Sequence, residues 1–311
     1  MPQAREHPVR TRAVTLIAVV GSCWLVAGVL PAGALSASEQ QLLGSPNLEI
    51  LPSANDTMLA WSQNSRKHPR FFNEYVKPLA GGKPKRLNAE GSRGFNGGFD
   101  GSKLVFQQVS HQGQSDLVIY DTATKHLETT PSGVNTNRWE AAPTMSGDYL
   151  LFSRETARRK GFVDRLVLHQ TSTGHEQVLR KLFSEYRRGP FIDPGQVNGD
   201  YAVWDVCSRS AGCNVFRFQI STDQTLMVPD RQQEYASSVA ADGTVFFMRA
   251  APGCGRKARL MRFSGSTGEL VESLARNRDT FSTFALDGSH LVRDAVNCHT
   301  NDINVNMTTV S

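Results

Sequence analysis

From residue 55 onward, short polar turns alternate with short apolar runs, and the alternation recurs at a near-constant interval. The turns are Asn55-Asp56, Asp100-Gly101, Gly147-Asp148, Gly199-Asp200, Asp242-Gly243 and Asp287-Gly288, spaced by 45, 47, 52, 43 and 45 residues. Asp-Gly and its relatives tolerate the positive φ of a tight hairpin, so each turn is expected to join two antiparallel strands. Residues 58–61, 104–106, 149–152, 202–204, 245–247 and 290–292 follow the turns as strand-like runs. Each carries a large apolar side chain near the same offset, where it would fill the space between neighbouring sheets. A third strand and a second polar turn come next, at 117–120 before 121–124, 166–169 before 171–174, 215–218 before 221–223, and 260–263 before 265–268. A short outer strand ends the unit, as at 177–179 and 225–228.

Four strands in about 40–50 residues is the length of one propeller blade. Six units at a mean spacing near 46 account for 276 of the 277 residues in 35–311. The expected fold is therefore all-β: a six-bladed β-propeller with four-stranded antiparallel blades. The last unit stops after its third strand, at 303–310, and residues 38–43 are expected to supply the missing outer strand and close the ring. A stacked sandwich would have no reason to repeat at this period.

The N-terminus breaks the pattern. Arg5, Arg10 and Arg12 precede an uncharged run from 13 to 30, then Pro31 and Ala32-Gly33-Ala34. That reads as a signal peptide over 1–34, with cleavage after Ala34 or Ala37. An uncleaved anchor is the second reading, since 13–30 is just long enough to span a bilayer. A third makes Val20-Gly21-Ser22-Cys23 a lipobox. Every reading puts residues 35–311 in a secreted or extracytoplasmic location, with membrane contact only through an uncleaved N-terminal segment. Without 1–34 the chain carries 31 basic and 28 acidic groups, a net charge of +3 that does not suggest nucleic-acid binding.

Four cysteines remain beyond Cys23, and an even number in an exported chain suggests two disulfides with three connectivities. Cys207 and Cys213 flank a hairpin loop and are expected to pair across it. Cys254 and Cys298 follow Asp242 and Asp287 by 12 and 11 residues, so they fall in matching loops of adjacent blades and would tie these together.

The second unit, Phe99-Asp100-Gly101-Ser102-Lys103-Leu104-Val105-Phe106, followed by Asp116-Leu117-Val118-Ile119-Tyr120-Asp121, resembles the TolB-type blade repeat. Such repeats also occur in the propellers of prolyl-oligopeptidase-like enzymes. The resemblance covers nearly all of 35–311 and implies the propeller fold. It implies little about function, because the motif residues build turns and sheet packing. The Ser-Pro that precedes Asp-Gly in the family is absent from every unit. TolB also has an N-terminal α/β domain for which this sequence has no room, so a role in the Tol system does not transfer.

Enzyme signatures are missing: no Gly-x-Ser-x-Gly elbow, no His-Glu-x-x-His, no P-loop. His111, His126, His169, His175, His290 and His299 share no blade position and read as surface side chains. No metal site and no cofactor are expected. Arginine is the more informative residue. Arg93, Arg138, Arg188, Arg231 and Arg278 each precede an innermost strand, which brings them towards one mouth of the ring. Arg66, Arg70, Arg154, Arg158, Arg159 and Arg209 are expected in loops of the same face, where acids such as Glu155 and Glu234 are fewer. Guanidinium groups around a concave mouth suit carboxylate or phosphate partners. Nearby aromatics, among them Phe71, Phe72, Phe95, Trp139 and Phe191, are read as packing. The expectation is a monomeric, non-enzymatic binding propeller for a protein or anionic ligand. A hydrolase or lyase with a channel-mouth site is the alternative.

Overall fold

The computed structural model describes residues 40–44, 47–65, 68–185, 189–208, 212–228, 233–249, 259–265, 268–273, 278–279, 285–287, 290–297 and 303–309. Residues 1–34, expected as a signal peptide, and Arg188, Arg231, Cys254 and Cys298 lie outside them. The chain divides into Met1–Ser36 and Ala37–Ser311, and the second unit holds all of the described structure. Every regular element among the described residues is a β-strand.

After β1 (Gln40–Leu43), the strands follow one another as up-and-down meanders. The first comprises β2 (Glu49–Ala54), β3 (Met58–Ser65), β4 (His68–Pro78) and β5 (Lys85–Arg86), hydrogen-bonded in that order. The second is β6 (Arg93–Asp100), β7 (Lys103–Val109), β8 (Ser115–Asp121) and β9 (His126–Glu128). The third is β10 (Trp139–Ser146), β11 (Tyr149–Arg158), β12 (Gly161–Gln170) and β13 (Glu176–Glu185). A parallel bridge, Trp139 to Ser115, joins the second and third. Next come β14 (Phe191–Asn198), β15 (Tyr201–Ser208), β16 (Gly212–Gln219) and β17 (Gln224–Met227), then β18 (Glu234–Val239), β19 (Val245–Arg249), β20 (Arg259–Phe263) and β21 (Gly268–Ser273). In the last sheet, β22 (Arg278–Asp279) and β23 (Ala285–Asp287) both pair β24 (His290–Asn297), which pairs β25 (Ile303–Thr309). β1 lies antiparallel on the far side of β25, with Leu43 opposite Val305.

The core lies between the sheets. Trp61, Phe106, Phe152, Trp204 and Phe247 occupy one offset in the second strand of successive meanders and are all buried. Burying side chains of this size stabilises by about 1.5–3 kcal/mol each. In the last sheet the position is taken by Arg293, also buried.

Polar residues bond each sheet to the next. The residue that ends a first strand reaches the following turn: Asn55 Nδ2 donates to the Gly101 carbonyl at 2.6 Å, and Asn198 Nδ2 to that of Val239 at 3.1 Å. Asp100 Oδ2 accepts from Gly147 N at 2.9 Å, and Ser146 Oγ from Gly199 N at 3.0 Å. Within a meander, the aspartate after the hairpin glycine clamps the second turn. Asp148 accepts from Ser172 N at 2.7 Å, and Asp200 from Ser221 N at 2.7 Å. Asn55, Asp100, Asp148 and Asp200 thus each tie a turn to a neighbouring turn or strand.

Candidate functional site: the two ends of the first strands

In five of the meanders the first strand carries a bulge near its middle, where the pairing register shifts: between Ile50 and Ser53, Asn96 and Gly98, Ala141 and Thr144, Pro194 and Val197, and Tyr235 and Ser238. Leu51, Ala142 and Ala236 take left-handed φ values of 52°, 49° and 55° there. Such conformations cost on the order of 1–3 kcal/mol each and persist only where surrounding contacts impose them. In the second and fourth meanders, glycines stand at the bulge because a neighbour presses close. A Cβ on Gly97 would lie 2.0 Å from the Pro143 carbonyl oxygen, and one on Gly195 2.8 Å from that of Ser237.

Beyond the bulges, towards the hairpin turns, is a cavity of about 440 Å³. Leu51, Asp56, Gly97, Asp100, Thr144 and Gln196 contribute to its wall, and among the described residues no arginine, lysine or histidine does. Much of its polar lining is already engaged: Thr144 Oγ1 accepts from Val197 N at 3.1 Å, and Gln196 Oε1 accepts from Ser238 Oγ and from Val239 N. Among the described residues no group of three or more His, Cys, Asp or Glu side chains could hold a metal.

The other ends of the first strands bear the arginines. Arg93 opens β6 and is half-buried; Arg138 is exposed in the loop just before β10; Arg278 opens β22. Neither the Arg93 nor the Arg138 guanidinium bonds or ion-pairs with another described residue. Burial alone acts on Arg93, lowering its pKa from the ordinary value. Phe71 and Phe191 are exposed, whereas Phe72 is buried against Phe95 with ring centroids 5.7 Å apart.

Arg154 corrects the sequence expectation. It lies within β11, is buried, and is neutralised: Nε donates to Glu140 at 3.0 Å, Nη1 and Nη2 to Glu176 at 2.7 and 2.9 Å, and Nη2 also to the carbonyls of Gly133 and Val134. Glu234, expected as a loop acid, is buried in β18 and holds Arg249 at 3.0 Å. Glu155 lies within β11 as well. His169, expected at the surface, is fully buried in β12, with Nδ1 3.5 Å from Glu176. Hydropathy treats such buried pairs as polar and assigns them to loops, although inside a strand each charge is met by its partner.

Cys207 and Cys213 face each other across the β15–β16 hairpin and form a disulfide, as expected. A bond of this kind persists in oxidising compartments and is compatible with an extracytoplasmic location.

No family model matches the chain, and no curated protein sequence is similar to it. Solved structures are. TolB from Acinetobacter baumannii superposes with a TM-score of 0.51 at 11% identity, over 81% of this chain and 64% of that one. A TolB-type protein from Agrobacterium tumefaciens gives 0.51 at 14% identity, over 86% and 92%. The fold is that of a β-propeller. An acylaminoacyl peptidase from Pyrococcus horikoshii also gives 0.51, at 10% identity, over 80% of this chain. The chain spans under two thirds of the A. baumannii TolB and 43% of the peptidase. At these identities the likeness carries the propeller and no activity.

Proposed function

We propose that this chain is an exported, non-catalytic binding propeller. Six blades form a ring closed by β1, and the face carrying Arg93, Arg138, Arg188, Arg231 and Arg278 takes an anionic partner, either a protein or an envelope polymer. The observation that carries the reading is the contrast between two sets of arginines. Those inside second strands, Arg154 and Arg249, are neutralised by glutamates. Arg93 and Arg138, at the heads of first strands, have no such partner among the described residues. A guanidinium held part-way out of water without a counter-charge keeps its capacity for bidentate bonds to carboxylate or phosphate. The exposed Phe71 and Phe191 would add apolar contact. The cavity at the opposite ends, free of cations, supports the arginine face as the anion-binding side.

The test is binding of a soluble acidic polymer such as polyglutamate by residues 35–311, with Arg138→Gln plus Arg231→Gln as the variant. Wild type should bind, and binding should weaken as salt rises, because exposed charges are screened beyond ~8–10 Å at physiological ionic strength. The double variant should bind several-fold more weakly with unchanged thermal stability. Equal binding by the two proteins, or no response to salt, would show these arginines to be ordinary surface.

A further inference from the structure

A recess lies at the outer edges of the first two meanders, away from the first strands. Lys85 and Arg86 of β5 line it, together with Lys125 in the β8–β9 turn and His126 at the start of β9. Tyr120 and Leu127 complete the contact surface, the first buried and the second 60% exposed. No aspartate or glutamate contributes to the lining. Glu128, two residues past His126, is already paired with Lys103 at 2.8 Å.

The cations are held by neutral groups. Lys85 Nζ donates to Tyr120 Oη at 2.8 Å and lies 4.8 Å from the centre of the same ring. Arg86 Nε donates to the Asn88 carbonyl at 3.2 Å, leaving the rest of its guanidinium to face outward. Lys125 has a positive φ of 63°, and neither its side chain nor that of His126 bonds to a described residue. A solvated surface ordinarily interleaves acids with bases. Here three permanent positive charges and a histidine from two separate hairpins share one recess without an acid. Contact with the Tyr120 ring and hydroxyl restrains Lys85 without neutralising it, which reduces the ordering cost of binding an anion.

We propose that this recess is a second anion site, independent of the arginine face, and that it takes a phosphate or phosphate-monoester group. A dianionic phosphate brings three or four oxygens and two negative charges to Lys85, Arg86 and Lys125, whereas a single carboxylate brings two oxygens and one charge. Leu127 offers an apolar surface to whatever the phosphate is attached to. A soluble phosphate monoester and the headgroup of phosphatidic acid share this chemistry.

The experiment titrates residues 35–311 with inorganic phosphate and with glycerol 1-phosphate by calorimetry at low salt. Sedimentation with phosphatidylcholine vesicles containing phosphatidic acid, whose headgroup is a phosphate monoester, follows in parallel, against phosphatidylcholine vesicles as control. Wild type should bind phosphate saturably, and Lys85→Gln plus Lys125→Gln should weaken binding roughly tenfold. Arg86→Gln alone, which leaves the Lys85–Tyr120 contact intact, should also weaken it, with circular dichroism confirming the fold. Arg138→Gln plus Arg231→Gln should retain the saturable phosphate binding that Lys85→Gln plus Lys125→Gln weakens, which separates this site from the arginine face. Phosphate binding without vesicle binding would assign the site to a soluble ester, and selective binding to the phosphatidic acid vesicles to a headgroup. Absence of saturable phosphate binding by wild type, or binding by the lysine variant equal to wild type, would overturn the proposal.

Discussion

Glu74 and Asp205 are carboxyl groups with almost no contact with water, and each lies close to a junction between blades. Ser62 Oγ donates to Glu74 at 3.3 Å and accepts from Asn96 N of the next blade at 2.7 Å, so the acid supports a link across the seam. Asp205 accepts from the backbone of Ala236 and Ser237 in the following blade. Burial pushes both pKa values well above the carboxylate range, and the nearby Asp193 adds to the effect at Asp205. Unfolded glutamate and aspartate lose their protons near pH 4. Above that pH the native protein therefore binds more protons than the unfolded chain. The stability owed to the two protonated acids is complete below about pH 4 and drains away as pH rises through the native values. Glu74→Gln and Asp205→Asn should consequently gain on wild type as pH increases from about 4 to 8. Urea midpoints at several pH values check this, and a difference that stays constant with pH would show that the acids are ionised in the native state. Neither role was legible in the sequence, where an acid within a strand looks the same whether it faces water or a neighbouring sheet.

Most of the architecture was legible at the scale of elements, because hairpins need particular residues. The turns at Asp100-Gly101, Gly147-Asp148 and Gly199-Asp200 sit between first and second strands as their composition required, with positive φ at Gly101, Gly147 and Gly199. A longer repeat escaped notice. Glu49, Glu140 and Glu234 are all buried near the start of alternate first strands, 91 and 94 residues apart. They stand opposite Gln63, Arg154 and Arg249, and each is followed two residues later by a left-handed bulge residue. The blades between them carry Gly97 and Gly195 at the bulge instead. The repeating unit thus extends over two blades, one strained and one flattened by glycine so that its neighbour can approach. Gly97→Ala should collide with the Pro143 carbonyl and destabilise by about 1–3 kcal/mol. Gly98→Ala, whose added methyl would sit 3.7 Å from Thr144, should be nearly neutral. Denaturant midpoints for the two variants decide the matter: equal effects would mean that the close approach at Gly97 is absent. The rim recess also escaped notice, since its cations come from hairpins about 40 residues apart that become neighbours only when two sheets stand side by side.

On the scale of the whole molecule, the first and last strands among the described residues lie in one sheet. Leu42 and Leu43 of β1 pack with Trp61, Val292 and Val305, and Lys77 Nζ donates to the Leu42 carbonyl at 3.1 Å. Deleting residues 40–43 would leave β25 with an open edge, and open edges template pairing with other chains. The deletion should lower thermal stability and make the protein associate in proportion to its concentration. Sedimentation velocity at two concentrations checks this, and a stable monomer would show that the seam closes without β1. The same pairing also has a cost in time. β1 is made first, yet its partner follows some 262 residues later. At 5–20 residues per second, β1 waits roughly 10–50 s for β25 to be synthesised. Through that interval Leu42 and Leu43 have no Val305 to cover them. The nascent chain therefore needs protection longest at β1, an early-made strand whose partner is among the last residues synthesised.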